Sequence, residues 1–250
     1  MLTKDKAICM RAVDYSETSQ IVTFFTKANG KVGAIAKGSK RSKSAFDGPI
    51  EMLSYGEIVL SDPTREKLAT LTEFRQQNFT HLIDDFFAFN CCLFAAELLN
   101  KLTHDNDPHP GLFDSFLNFL ENINENQASN AEHRDILSLL ILFQLTLLSE
   151  IGLMPVLNAC ANCKTQNAIL NTQYEFYFSS SANGIICRDC EASFPDKIKL
   201  SKHAAACLTD LKQIIKAPDR TLREIEKILT SHFTELLGHR PKMAKHILKG

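Results

Sequence analysis

Two pairs of cysteines constrain this chain more than any other feature. Each pair has the spacing Cys-x2-Cys, and 23 residues separate the two. A structural zinc site takes four ligands in a tetrahedron, and this spacing lets both thiolates of a pair reach one ion. The spacer holds a strand-like run at Tyr174–Phe178 and a turn at Asn183–Gly184, the layout of a zinc ribbon. We therefore predict a structural Zn²⁺ site at Cys160, Cys163, Cys187 and Cys190.

The simplest alternative for these four residues is that they are small buried hydrophobic side chains, but two paired spacings rarely arise by accident. The other cysteines, Cys9, Cys91, Cys92 and Cys207, have no such spacing and lie in apolar segments. We predict that they fill the core as reduced thiols.

The first 80 residues have the composition of a small β-domain. Short runs rich in Ile, Val, Phe and Thr alternate with Gly, Pro and Asn turn signals. The predicted strands are Ala7–Val13, Gln20–Thr26, Lys31–Lys37, Ile50–Ser61 and Leu68–Arg75. Five such strands favour a closed barrel of the OB type, because closure removes exposed edges. We predict an OB-fold domain over residues 1–79; its assignment as a DNA-binding domain depends on the basic segment that it contains.

The hydrophobic period then becomes helical. The predicted helices are His81–Leu102, Leu112–Ile123, Ala131–Glu150, Ser201–Lys216 and Leu222–Leu237. A polar loop is expected over Asn122–Asn130, a C-cap at Gly152, and a capping box between Thr221 and Glu224. We predict a helical domain over residues 80–250 with a zinc-binding insertion at about 155–195, so the whole chain has an α+β fold.

Neither secretion nor membrane insertion is expected. The N-terminal residues lack an apolar run behind their charges. The most apolar stretch, Ile136–Leu148, is shorter than the roughly 18 residues that a membrane span needs. We expect a cytoplasmic, nucleoid-associated protein.

The net charge of −1 hides a strong asymmetry along the chain. Lys and Arg outnumber Asp and Glu by 12 to 9 in residues 1–80 and by 14 to 9 in residues 151–250, whereas residues 81–150 carry 2 against 11. The two ends can therefore attract an anionic partner that the average charge would not suggest.

The densest basic segment lies between predicted strands. Lys27 to Lys43 contains six cations and no carboxylate. Its dense end, Lys37–Ser44, is called the basic loop; it is rich in Gly and Ser, which suits close approach to phosphates. A solvated surface loop is the alternative. Nearby aromatic residues can stack on bases, although most of them fit a barrel core better. The predicted DNA-binding residues are Lys31, Lys37, Lys40, Arg41 and Lys43; the aromatic residues are Tyr15, Phe24, Phe25, Phe46 and Tyr55.

No catalytic pattern accompanies these features. The run Gly33–Ser39 resembles a phosphate-binding loop but has Ser39 where that motif needs Lys. None of the eight histidines stands in the His-x-Glu of nucleic-acid deaminases, and four thiolates leave a metal no open position. We expect a binding protein and not an enzyme.

Taken together, these motifs resemble the RecO family of bacterial recombination mediators. Asp14–Val22, followed by Gly38–Ser44 within the basic loop, is similar to the opening of RecO proteins. Ile151–Pro155 and the two cysteine pairs match the middle of the family in order and spacing. One departure is Lys164, which stands where a Gly commonly follows the second cysteine.

The resemblance implies an OB domain, a helical domain with the zinc site, and binding to single- and double-stranded DNA. It also implies annealing of complementary strands and loading of recombinase onto DNA coated by single-stranded-DNA-binding protein, with RecR as a partner. The acidic C-terminal tail of the single-stranded-DNA-binding protein is expected to bind the helical domain. Some members lack the cysteines, so zinc is expected to support the fold. Two alternatives remain: a zinc-ribbon and OB-fold factor of transcription or translation, and a metal-dependent hydrolase.

Overall fold

The computed structural model describes residues 2–41, 44, 46, 48–61, 68–77, 85–128, 132–165 and 175–248. The chain divides into two compact units, one of Met1–Ile83 with Ala96–Asn124 and one of Asp84–Ala95 with Glu125–Gly250. The predicted domain boundary, between residues 79 and 80, lies outside the described residues.

A closed five-stranded barrel forms most of the first unit. Its strands are β1 (Leu2–Asp14), β2 (Gln20–Thr26), β3 (Gly30–Ala36), β4 (Tyr55–Ser61) and β5 (Ala69–Gln76). The order around the barrel is β1-β2-β3-β5-β4, with β3 and β5 parallel and the other pairs antiparallel. This arrangement confirms the predicted OB-type barrel.

The long strand β1 closes the barrel. Its first half, Leu2–Ile8, pairs with β4, and its second half, Ala7–Asp14, pairs with β2. A register irregularity between Cys9 and Arg11 bends the strand from one neighbour to the other. Inside, Phe24 and Phe74 pack with ring centroids 5.6 Å apart, and Cys9 is fully buried, as predicted.

Three helices follow the barrel in the chain: α1 (Phe86–Leu102), α2 (Pro110–Ala128) and α3 (His133–Glu150). α3 is apolar on most of its surface and lies in the second unit, where ten of its residues are buried. Its C-cap is Ile151, one residue before the predicted cap Gly152, which follows with φ +75°. Cys91 and Cys92 are fully buried on α1, which confirms their predicted role in the core.

The cysteine pairs flank a small antiparallel sheet in the second unit. It contains β6 (Phe176–Ser179), β7 (Gly184–Cys187) and β8 (Ile198–Leu200), in the order β7-β6-β8. Gly184 is required here, because a Cβ at this position would lie 2.4 Å from the carbonyl oxygen of Val156, with which it forms a bridge.

The described part of the second unit also contains two 3₁₀ helices (Glu191–Ser193 and Leu211–Lys216) and three α-helices: α4 (Lys202–Thr209), α5 (Asp219–Leu237) and α6 (Ala244–Ile247). Cys207 of α4 is buried, as predicted. None of the described helices combines the length and the hydropathy that a bilayer crossing demands.

Three local predictions were wrong. The polar segment from Asn122 continues α2 as far as Ala128, because a surface helix needs only one apolar face. Thr221 and Glu224 form no capping box, since α5 already begins at Asp219 and the Glu224 carboxylate accepts a hydrogen bond from the Ser201 N–H at 2.6 Å. The helix predicted from Ser201 to Lys216 breaks at Asp210.

Candidate metal centre and nucleic-acid interface

The four cysteines of the two pairs meet in one cluster. All four sulfur atoms lie within 4.8 Å of one another, and the Sγ atoms of Cys163 and Cys187 are 3.8 Å apart. A zinc ion bound by four thiolates at about 2.3 Å would separate its sulfurs by roughly 3.8 Å. The side chains that were predicted to act together are therefore close enough to hold one metal ion.

Backbone hydrogen bonds position both pairs. The Ala161 N–H donates to the Ile185 carbonyl at 2.7 Å, which ties the first pair to β7. Within each turn, Lys164 N–H donates to Cys160 and Cys190 N–H donates to Cys187, at 2.9 and 3.1 Å. Lys164 takes a positive φ of +61°. That conformation favours glycine, which is the residue that RecO proteins commonly have at this position.

The cluster also places donors around the sulfurs. The Cys187 N–H points at Cys160 Sγ at 3.4 Å, and the Asn162 amide points at Cys190 Sγ at 3.3 Å. The Thr165 hydroxyl, 3.2 Å from Cys163 Sγ, lowers the pKa of that exposed thiol to about 6. Burial raises the pKa of Cys187 to about 12.

The buried side-chain amide of Gln20 forms hydrogen bonds to the basic loop and to the segment that follows it. The Gln20 side chain accepts hydrogen bonds from the Ser39 hydroxyl and the Ile50 N–H, both at 2.9 Å, and donates to the Ile50 carbonyl at 3.1 Å. Gly38 turns the chain with φ +75°. Ser39 is thus tied to Gln20, the first residue of β2. No local pattern in the sequence indicates this role of Gln20.

Two of the predicted DNA-binding residues present their charge to solvent. Lys37 and Arg41 are exposed, and no described carboxylate lies within 4 Å of either. Lys40 lies between them but forms an ion pair of 2.5 Å with Asp14. Lys43 lies outside the described residues.

Lys31 is placed differently from the other predicted DNA-binding residues. Its side chain is only 13% exposed, and its ammonium donates to the Asn100 and Thr103 carbonyls at 2.9 and 3.0 Å and pairs with Asp105. These contacts give Lys31 a structural role at the end of α1, and little of its charge faces solvent. Lys31 is therefore not part of the exposed basic surface.

Tyr15 lies on the turn next to the basic loop. Its backbone N–H bonds to Ser19, and the neighbouring Thr18 carbonyl accepts a hydrogen bond from the Lys40 N–H at 3.1 Å. The Tyr15 side chain is 64% exposed. The other four aromatic residues considered for stacking, Phe24, Phe25, Phe46 and Tyr55, are buried.

Two family models match the chain. Recombination protein O N terminal matches residues 1–78, and Recombination protein O C terminal matches residues 83–245. The DNA repair protein RecO of Bacillus pumilus is 30% identical over 95% of this chain and 90% of its own length. The RecO proteins of Bacillus subtilis and Rhodopirellula baltica are 28% and 30% identical, over 95% and 86% of this chain and 91% and 77% of their own lengths.

Proposed function

Since the chain belongs to the RecO family, we propose that it acts in DNA repair and recombination by binding single- and double-stranded DNA and annealing complementary strands. With RecR as a partner, it helps to load recombinase onto DNA coated by single-stranded-DNA-binding protein. The proposal assigns the chain no catalytic step. The observation that carries it is that Lys37 and Arg41 are exposed, form no ion pair with a described carboxylate, and belong to a loop bonded to the turn that carries the exposed Tyr15.

The physical basis of the proposal is charge neutralisation. Phosphates of two complementary strands repel each other, and bound cations reduce that repulsion while releasing counterions. A tyrosine ring adds base stacking, which every base accepts. Binding should therefore depend steeply on salt and only weakly on sequence.

The test is a salt titration of single-stranded DNA binding with the Lys37→Ala/Arg41→Ala variant. Each lost phosphate contact should reduce the slope of log K against log salt by about 0.7, so the variant should lose about 1.4. The matched control is Lys6→Ala/Arg75→Ala, which removes two exposed cations from other strands of the barrel. An equal reduction of the salt slope in both variants would mean that the DNA site does not lie on the basic loop.

We further propose that the four cysteines hold a structural Zn²⁺. Four thiolates close the coordination shell, so the ion would brace the β6–β7 hairpin and offer no open position to a substrate. One equivalent of Zn²⁺ per chain is expected by metal analysis, and Cys163→Ser should lower the affinity for Zn²⁺ while Cys207→Ser leaves it unchanged. A wild-type protein that binds no zinc after reduction would refute this assignment.

We place the proposed contact with the acidic tail of single-stranded-DNA-binding protein in a cavity of about 450 Å³ beside α4. Its lining combines the cations Lys212 and Lys216 with apolar Ala206, Ala217 and Pro218. Such a lining suits a short acidic peptide that also carries apolar side chains.

A fluorescent peptide of that tail, titrated into the full chain, tests the placement. Lys212→Ala/Lys216→Ala should weaken binding about tenfold or more, whereas Lys242→Ala/Lys245→Ala, an equal charge change elsewhere, should not. Equal weakening in both variants would indicate only long-range attraction to a basic unit.

A further inference from the structure

A second cavity, of about 310 Å³, lies where the β6–β7 turn meets the C-terminal half of α5. We call it the His232 notch. Ser180, Asp196, His232, Glu235 and Leu236 line it, together with Ser181 and Pro195. Its lining includes no residue of the cysteine cluster or of the basic loop, and the proposed function does not use it.

His232 is the unusual residue of the notch. It is 1% exposed and packs edge-on against Phe178, with ring centroids 5.4 Å apart. Neither ring nitrogen has a hydrogen-bond partner in the described part of the chain. Burial lowers the pKa of His232 to about 4, so the ring is neutral at pH 7 and offers one N–H and one acceptor nitrogen. Buried polar atoms of this kind usually have a partner.

The charge of the notch is negative. The Asp196 carboxylate accepts hydrogen bonds from the Ser181 N–H and hydroxyl and from the Ser179 hydroxyl, at 2.7 to 3.1 Å. Although burial raises its pKa, these bonds outweigh that effect and bring the pKa to about 2, so the carboxylate is ionised. Glu235 adds a second carboxylate. Among the described residues, no cation lies within 4.0 Å of either carboxylate.

These features specify the chemistry of an occupant. A cationic group is needed to balance Asp196 and Glu235, and it must also donate toward the His232 ring. Leu236 and Pro195 supply apolar walls, which suit an aliphatic stem. A guanidinium, with five donors in a planar fork, serves several acceptors in different directions better than an ammonium does.

We propose that the His232 notch binds the guanidinium end of an arginine side chain presented by a partner polypeptide. The partner would therefore expose a basic segment toward this face of the second unit, in contrast to the anionic partners of the basic loop.

The test uses the full chain with N-acetyl-arginine amide as the probe and the neutral citrulline analogue as its match. Binding is followed by the NMR signals of the His232 ring nitrogens and the Ser181 amide. The arginine probe should shift both signals in a saturable manner, while citrulline should not. Glu235→Gln removes an exposed carboxylate and should weaken binding about fivefold or more. Glu150→Gln, exposed at the end of α3, should have no effect.

His232→Leu supplies a second variant that should retain the fold, because the ring packs against apolar Phe178. It should weaken arginine binding while raising the free energy of unfolding, since it removes unpaired buried nitrogens. Three results would overturn the proposal: equal shifts with citrulline, equal affinity in the Glu235 and Glu150 variants, or tighter binding of spermidine than of the arginine probe.

Discussion

At the scale of single residues, ion pairing decides which cations of the basic loop are available to an anionic partner. Lys40 stands between Lys37 and Arg41 in the chain, yet Asp14 neutralises its charge across the β1–β2 turn. A count of lysines in the sequence therefore overstates the number of phosphate contacts that the loop can make.

The ion pair with Lys40 gives a prediction for Asp14. Asp14→Asn should release Lys40 and allow one more phosphate contact, which steepens the salt slope of single-stranded DNA binding by about 0.7. Affinity at low salt should rise. In a Lys40→Ala background the same substitution should change neither quantity, and a gain that persists there would mean that Asp14 acts only through its general negative charge.

The strained backbone at Lys164 gives a second prediction. Lys164→Gly should relieve the positive φ, while it loses the exposed hydrogen bond from Lys164 Nζ to the Ala161 carbonyl. We expect a net gain of about 0.5–1 kcal/mol in the unfolding free energy of the metal-loaded protein. Lys164→Ala loses the same bond but keeps the strain, so it should be less stable than wild type in the same denaturant titration. Equal stabilities of the two variants would contradict this argument.

At the scale of elements, α5 carries an acidic residue on its buried face. Glu226 is fully buried between α5 and α3, where it accepts hydrogen bonds from the Gln144 amide and the Thr230 hydroxyl, both at 3.1 Å. One oxygen of Glu226 and the oxygen of Gln144 have no partner among the described atoms. A proton on Glu226 would supply a donor beside that unpaired amide oxygen, so the neutral acid fits this site better than the anion.

Glu226 therefore makes stability depend on pH. Burial raises its pKa from 4.5 to about 7, so the folded state holds this proton more tightly than the unfolded chain does. Its contribution to stability is complete below pH 4.5 and is lost as the pH rises through 7. Glu226→Gln should remove this loss and be more stable than wild type at pH 8 by up to about 3 kcal/mol. Unfolding titrations at pH 5 and pH 8 check this, with Glu235→Gln as the control; an unchanged pH dependence would refute it.

Sequence patterns predicted these elements to different extents. All five barrel strands match the predicted bounds within one residue at one end at least, because β-branched runs bounded by turn residues are local signals. β8 was missed, since its three residues are a strand only through pairing with β6.

The residues of the candidate sites also differ in how far local sequence patterns predict them. The cysteine cluster was predictable because both pairs have local spacing, whereas the partners of Lys31 lie about 70 residues further along the chain. Glu226 could have been found, since it follows Leu222 by four residues and precedes Thr230 and Phe233 on the buried stripe of α5.

At the scale of the whole molecule, the proposed metal centre and the proposed DNA surface belong to different units, so we expect them to respond separately to metal removal. The four cysteines lie in the second unit, and Lys37, Arg41 and Tyr15 lie in the first. Each unit has its own apolar cluster, one inside the barrel and one around the cysteines.

Chelation of the metal should therefore lower the thermal midpoint without removing DNA binding. For a chain of this length, a loss of roughly 3 kcal/mol corresponds to a fall of about 10 °C. The salt slope for single-stranded DNA should change by less than about 0.7, the value of one phosphate contact. Calorimetry and binding titrations on the same chelated sample check both, with re-addition of Zn²⁺ as the control. If chelation lowered the salt slope of DNA binding as well as the thermal midpoint, the metal region would be inferred to contact DNA.

The way in which β1 closes the barrel also has a consequence for synthesis on the ribosome. Leu2 pairs with Ser61, so one edge of the first half of β1 stays unpaired until β4, which is translated later, has emerged. During that interval the nascent chain exposes strand edges that can pair with other chains. A translational pause placed before codon 61 should therefore increase aggregation of newly made protein, whereas a pause after the end of β5 should not.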